Sequence, residues 1–378
     1  MIDPTGKIRI SDTTLRDGEQ TPGVVFTLRD KLRIAELLNA LGIDEVEAGT
    51  PAISPRESRE IRFLSGQRFP FALSVWCRAV KADILGALKT GAGIVNISFP
   101  LSDILLQAMN HDRDYLFRLL DEILLFADKE CPCYSVGLQD SGRADPRLLD
   151  RVVERIAASR AFRVRLADTV GILNPMDTAR LVRRAKRRAP RVAVEFHAHN
   201  DLGMATANTV AAAAAGADYL SVTVNGIGER AGNCPLEELL FALKYSLRRR
   251  LVWNNALLLP LSQLISHLTS RPVSPDKPVT GTMVARHESG IHVNCLLRDP
   301  LSYMPYPPEA WDGKHHEFVL GKHSGASAVV NYYTGHGLPV TPQEAQILLK
   351  KIKRQAVHLK RALTDDELLK LYNDRSLS

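Results

Sequence analysis

His197 and His199 stand two residues apart in His197-Ala198-His199-Asn200-Asp201, at the end of an apolar, β-branched run. Side chains two apart on a strand point to one face, so the two imidazoles converge. A lone histidine is usually a satisfied polar residue. A same-face pair joined by the carboxylate of Asp17 and the amide of Asn233 offers the nitrogen and oxygen donors of a divalent-ion site. Two imidazoles, one carboxylate and one amide leave coordination positions open for a chelating substrate, which is a catalytic arrangement. Arg16 adjoins Asp17 and has two readings, a surface ion pair or a guanidinium facing a substrate carboxylate or a developing oxyanion. Thr169 also has two, a loop cap or a hydroxyl donor to that same carboxylate.

These residues are useful together only if their chain segments meet. Eight short strand-like runs alternate with eight helical stretches over the first 250 residues. The strand candidates are 8–11, 45–48, 72–76, 95–99, 134–138, 164–167, 192–197 and 220–224. The helical stretches are 29–41, 55–64, 82–90, 112–129, 146–159, 175–189, 205–215 and 236–247. Ser54-Pro55 and Asn174-Pro175 are helix-start signals, a capping residue followed by proline. Several strands read as near-continuous apolar runs, as in parallel sheets covered on both faces. Eight β-then-α units predict an α/β fold, a (β/α)8 TIM barrel. A doubly wound open sheet is the alternative, but no GxGxxG follows the first strand. In a barrel the active site lies at the C-terminal strand ends. That rule gathers Asp12–Gln20, Gln139-Asp140-Ser141, Asp168-Thr169, His197–Asp201 and Asn225–Asn233 on one rim.

Beyond residue 250 the rhythm breaks. The reading is a catalytic barrel over 1–250 and, over 251–378, a linker with a mostly helical C-terminal appendage, including helices at 343–359 and 365–372.

Composition excludes other classes. The 378 residues are 45% hydrophobic and 24% charged, an ordinary globular balance that excludes a coiled coil or a disordered chain. The net charge of +7 is a mild excess, and the basic runs at 183–188 and 248–250 fall at helix ends, where cations suit the helix dipole. A nucleic-acid partner is therefore not expected, and an acidic small substrate fits as well. Five cysteines without a CxxC pair predict free thiols rather than a disulfide framework. With no leader-like N-terminus and no apolar run of membrane-spanning length, the expectation is a cytoplasmic protein without a membrane partner.

Asp12–Gln20, His197–Gly203 and Asn225–Asn233 together resemble the acyl-CoA-condensing barrel enzymes, the isopropylmalate, citramalate and homocitrate synthases. Five further segments are most similar to homocitrate synthases of the nitrogen-fixation type: Glu47–Ala52, Trp76-Cys77-Arg78, His197–Thr209, His287–Val293 and Leu320–Gly325. The resemblance implies metal ligands at Asp17, His197, His199 and Asn233, holding zinc, manganese or magnesium. It implies that Arg16 meets the 2-oxo acid carbonyl and Thr169 its carboxylate, with Arg78 and Ser135 among the substrate-binding positions. His292 matches the family's catalytic histidine and Tyr303 a tyrosine of the same subdomain. Both would reach the barrel of a partner subunit, which implies a homodimer. The regulatory domain usual in isopropylmalate synthases is expected to be absent. Two positions depart from the wider family. Gln139 stands where a catalytic glutamate is usual, and Ser135 where lysine-pathway homocitrate synthases place an arginine for the distal carboxylate of 2-oxoglutarate.

The implied activity is an acyltransferase reaction, a Claisen-type condensation of the co-substrate acetyl-CoA with a 2-oxo acid. The first choice is 2-oxoglutarate, giving homocitrate. Alternatives are phosphonopyruvate, giving 2-phosphonomethylmalate, or another alkylmalate synthesis such as that of isopropylmalate or citramalate. Gln139 also motivates a non-catalytic reading, an oxo-acid-binding paralogue.

Overall fold

The computed structural model describes residues 8–307, 310 and 317–374. The chain forms two compact units, Met1–Val273 and Ser274–Ser378. The division falls later than residue 250, because the helix Leu258–Thr269 belongs with the first unit.

The first unit is a closed eight-stranded parallel barrel. Its strands are β1 (Arg9–Asp12), β2 (Glu45–Glu47), β3 (Ala72–Arg78), β4 (Ile94–Pro100), β5 (Tyr134–Gln139), β6 (Arg163–Asp168), β7 (Ala193–Ala198) and β8 (Tyr219–Val222). Each strand pairs with the next. Closure comes from β8 beside β1, with Arg9 opposite Tyr219 and Asp12 opposite Val222. The expected TIM barrel is thus present.

The connecting helices start where local chemistry directs. Thr27 and Asp30 form a reciprocal capping box for α1 (Leu28–Leu41). Ser54 caps α2 (Pro55–Gly66), and Asn174 caps the helix Pro175–Arg188, each with proline in the first turn. The basic run at 183–188 is dispersed into ion pairs, Arg184 and Arg188 with Asp150 and Lys186 with Asp218. The stretch expected as one helix over 236–247 is Leu236–Phe241 followed by a π-helical turn, Ala242–Ser246.

The strands are not apolar on both faces. Their outward positions, such as Val46, Val75, Ile97, Leu138, Leu166 and Phe196, are buried apolar residues. The inward positions are polar: Ser11, Glu45, Glu47, Ser74, Asn96, Ser98, Ser135, Arg163, Arg165, Glu195 and Ser221 are all buried. The pleat alternates apolar-out with polar-in. A branched-aliphatic bore, the usual filling of such barrels, is replaced by charge.

The second unit has its own core, built from Val293, Leu320, Val329, Tyr333, Leu348 and Ile352 among others. It is mostly helical: Gly290–Leu296, Ala326–Gly335, Pro342–Leu359 and Asp365–Asn373, with two-residue parallel strands at Arg286–His287 and Glu317–Phe318. Gly290 and Gly325 cross so closely that a Cβ on Gly290 would lie 2.8 Å from the Gly325 Cα. That crossing explains a glycine in each of the two motifs that meet there. Among the described residues no helix is long and apolar enough to cross a membrane.

Candidate active site

The buried charges form a ladder that climbs the barrel bore to its rim. At the lowest rung Arg163 forks onto Glu45, with N–O distances of 2.6 and 2.8 Å, and its Nε lies 3.0 Å from Glu195. Arg165 continues upward, with Nε 2.9 Å from Glu195 and Nη1 2.8 Å from Glu47. Glu47 accepts from Arg16 Nε at 2.6 Å, and Arg16 Nη1 donates to Asp17 at 2.9 Å. Three guanidiniums thus meet four carboxylates. Burial alone would raise the Glu47 carboxyl, but the guanidiniums of Arg16 and Arg165 hold it down at about 2. The same competition, burial against Arg16 and His197, leaves Asp17 well below the usual carboxylate range.

Above the last rung, Asp17, His197 and His199 turn one donor atom each toward a common point. His197 Nε2 lies 3.1 Å and His199 Nε2 3.6 Å from Asp17 Oδ2, and the two Nε2 atoms are 3.4 Å apart. Burial, then the neighbouring His197 ring, lowers His199 to about 4, so its imidazole is neutral at physiological pH. Neutral imidazole is the form that binds metal. Asn233 is brought in by the loop after β8, where it bridges to His199. Gly232 makes this turn with φ +86°, and a Cβ there would lie 1.9 Å from the Gly226 carbonyl. The Asn233 Nδ2 donates to Ile227, whereas its Oδ1 is buried without a hydrogen-bond partner. Asp17 Oδ2 has only the two imidazole nitrogens near it and no well-formed hydrogen bond. Buried, unpaired acceptors are costly, and a cation satisfies them. The donor set of two imidazoles, a carboxylate and an amide oxygen therefore fits a divalent metal.

The cluster opens into a cavity of about 260 Å³ lined by Arg16, Asp17, Gln139, Thr169, His197 and His199, together with Gln20, Trp76, Asn96, Ser98, Gly137, Arg165, Glu229 and Arg230. Thr169 is a loop cap that also lines the cavity. Its Oγ1 accepts the Asp140 amide at 2.8 Å, while the residue lines the cavity with its hydroxyl proton still to donate. Gln139 Nε2 donates to Ser98 Oγ at 3.1 Å. The adjacent Asp140 does not replace the missing carboxylate, because Arg143 and Ser102 hold it away from the cavity lining.

Two expected substrate contacts fall elsewhere. Arg78 is 65% exposed, forks onto Asp83 and does not line the cavity. From β3 it is Trp76, two residues earlier, that lines the cavity. Ser135 is buried beneath the cavity and donates to Asn96. His292 and Tyr303 belong to the second unit, where their rings stack with centroids 4.0 Å apart. Sequence reasoning missed Glu47, Asn96, Ser98, Arg165 and Arg230. The one available signal was the placing of charged residues at alternate strand positions, as in Glu45-Val46-Glu47 and Arg163-Val164-Arg165.

Comparison with known proteins agrees with this architecture. The family described as HMGL-like matches residues 7–264, and the one described as homocitrate synthase post-HMGL domain-like matches 279–360. The chain is 39% identical to 2-isopropylmalate synthase 2 of Caldanaerobacter subterraneus subsp. tengcongensis, over 97% of this chain and 95% of the relative. It is 40% identical to homocitrate synthase 1 of Nostoc sp., over 98% of each. Among solved structures, the hydroxymethylglutaryl-CoA lyase of Pseudomonas aeruginosa shares the fold, with a TM-score of 0.61 at 23% identity over 71% of this chain and 94% of that one. With both units matched, and relatives this close over nearly their whole length, the chain belongs to the HMGL-like acyltransferase family of the isopropylmalate and homocitrate synthases.

Proposed function

We propose that this enzyme condenses acetyl-CoA with an acidic 2-oxo acid, 2-oxoglutarate first, to give homocitrate. The observation that carries the reading is the convergence of Asp17, His197, His199 and the orphaned Asn233 Oδ1 beside Arg16 and Thr169. Those four residues would hold a divalent metal, zinc, manganese or magnesium. When bound, such an ion supplies Lewis-acid polarisation of a keto group. Arg16 is fixed by Glu47 and Asp17, so its remaining N–H groups are preorganised for oxygen charge that develops during carbon–carbon bond formation. The Thr169 hydroxyl donates to the substrate carboxylate.

The proton of the acetyl methyl group needs a base. The two cavity imidazoles face Asp17, and Gln139 takes no proton. We assign the base to His292, supplied with Tyr303 by the partner subunit of a homodimer. The stacked rings restrict the imidazole's orientation. Glu229, exposed at the cavity edge, is the competing base within the barrel. The free cysteines fit a reducing cytoplasm.

A second reading follows from Gln139. A neutral amide where an anion would repel substrate charge suits a more highly charged oxo acid such as phosphonopyruvate. Thiol release from acetyl-CoA over a panel of 2-oxo acids tests both readings. The expected result is highest kcat/KM with 2-oxoglutarate and none in metal-stripped protein. Highest kcat/KM with phosphonopyruvate favours the second reading. Release equal with and without metal rejects the site as drawn.

A further inference from the structure

The ladder leaves one strong donor unused. Arg165 is 3% exposed and fully committed on two sides, Nη1 to Glu47 and Nε toward Glu195. Its Nη2 is buried with no hydrogen-bond partner, and the residue lines the cavity. An unsatisfied buried guanidinium nitrogen is more costly than a neutral orphan, because the group stays charged.

Closure of the barrel fixes where that nitrogen lies. In the closed order β1 to β8, β6 stands across the bore from β2. Arg165 on β6 reaches Glu47 on β2, so its guanidinium sits under the middle of the mouth. The metal-type cluster is on the β1 and β7 side. An oxo acid held there by its carboxylate and keto oxygen extends its far end over the bore, toward β3 to β5. That wall is neutral and rich in donors. Gln139 carries an amide whose second N–H is not used by Ser98, and a Cβ on Gly137 would rest 3.4 Å from Asn96 Oδ1 and Ser98 Oγ, so the absence of a side chain there keeps this wall close and polar.

We propose that Arg165 Nη2, with the Gln139 amide beside it, receives the distal acid group of the 2-oxo acid and so makes this enzyme selective for substrates with a second oxyanion. The inference rests on the condensation reading and names the substrate class within it. Its chemistry is the same for a distal carboxylate and a distal phosphonate. Arg165 supplies charge from below without losing its two carboxylate partners. Gln139 supplies a donor where a glutamate would repel.

The test compares kcat/KM for 2-oxoglutarate, phosphonopyruvate and the mono-acid 2-oxobutyrate in the metal-loaded full-length enzyme and two variants. Arg165→Lys keeps a cation but removes the forked Nη2. Gln139→Glu places an anion against the distal group without disturbing the buried ladder. The wild type is expected to prefer a di-acid over 2-oxobutyrate by at least about 30-fold. Each variant should cut that ratio by about tenfold or more, the size of one charge-assisted hydrogen bond. Which di-acid leads identifies carboxylate or phosphonate as the distal group. A ratio that stays within about threefold in both variants overturns the inference, because a merely structural Arg165 would slow all three substrates alike. If Arg165→Lys does not fold, Gln139→Glu decides alone. Absence of any CoA release by the wild type would instead remove the condensation reading. Calorimetric binding of the same three acids then carries the comparison, and equal selectivity in wild type and Gln139→Glu overturns the inference there too.

Discussion

Asp12 is a carboxyl whose charge the barrel disfavours. It is completely buried at the end of β1, one oxygen accepting the Thr14 amide at 2.9 Å and the other without a partner. Burial drives its pKa up from 3.8 to about 7, Glu237 adds to the rise, and the Thr14 bonds oppose it. Between those two values the folded chain holds a proton that the unfolded chain has released. The stabilisation is therefore complete below about 3.8 and is lost as the pH rises through 7. Asp12→Asn carries no charge and keeps the oxygen that accepts from Thr14. It should stabilise the protein at pH 8.5, by up to about 4 kcal/mol if the whole shift is expressed, and change little at pH 4. Urea unfolding of both proteins at the two pH values measures this, and an equal difference at both would show that Asp12 is not the group responsible. At this scale the sequence was informative wherever residue type alone dictates chemistry. The convergence of Asp17, His197 and His199 was legible because few side chains bind metal and two of them share one strand face. Arg78 misled because a guanidinium at a strand end faces the cavity or the neighbouring helix according to its nearest carboxylate, and Asp83 decides that.

Among elements, the decisive feature is the coupling of β2, β6 and β7 through side chains inside the bore. Glu47 is its centre, bonded to Arg16, Arg165 and Asn96. Glu47→Gln preserves shape but removes the anion between two guanidiniums. Breaking a buried pair by removing one partner costs about 3–5 kcal/mol, and the variant should lose that much stability. Its kcat should fall while metal content is retained, because Arg16 loses the bond that aims it. Denaturant midpoints and metal analysis check the two halves separately. A variant with wild-type stability would mean the ladder is solvated or neutral. Little of this network was readable beforehand. Positions 45, 47, 163, 165 and 195 are far apart in the chain, and only barrel closure makes them neighbours. The strands themselves were found because their outward residues are apolar and β-branched. Ala326–Gly335 was missed as a helix because Val329, Val330, Tyr332 and Tyr333 are weak helix formers. Packing against Pro342–Leu359 holds it helical instead.

On the scale of the whole molecule, the metal-type cluster lies in one compact unit and the stacked His292–Tyr303 pair in the other. If the base comes from the partner subunit, a dimer has two sites, and each needs one residue set from either chain. Asp17→Ala and His292→Ala should each abolish turnover alone, the first with loss of metal and the second without it. In a heterodimer of the two variants, one site carries both defects and the other carries neither. Co-expression with random pairing makes half of the dimers mixed, so about a quarter of wild-type turnover should return. Steady-state assays on the co-expressed mixture, against the separately purified homodimers, read this directly. No recovery, with mixed dimers verified by differential tags, would place the base in the same chain as the metal ligands or assign it to Glu229. In that case Glu229→Gln should be the variant that loses turnover while keeping metal.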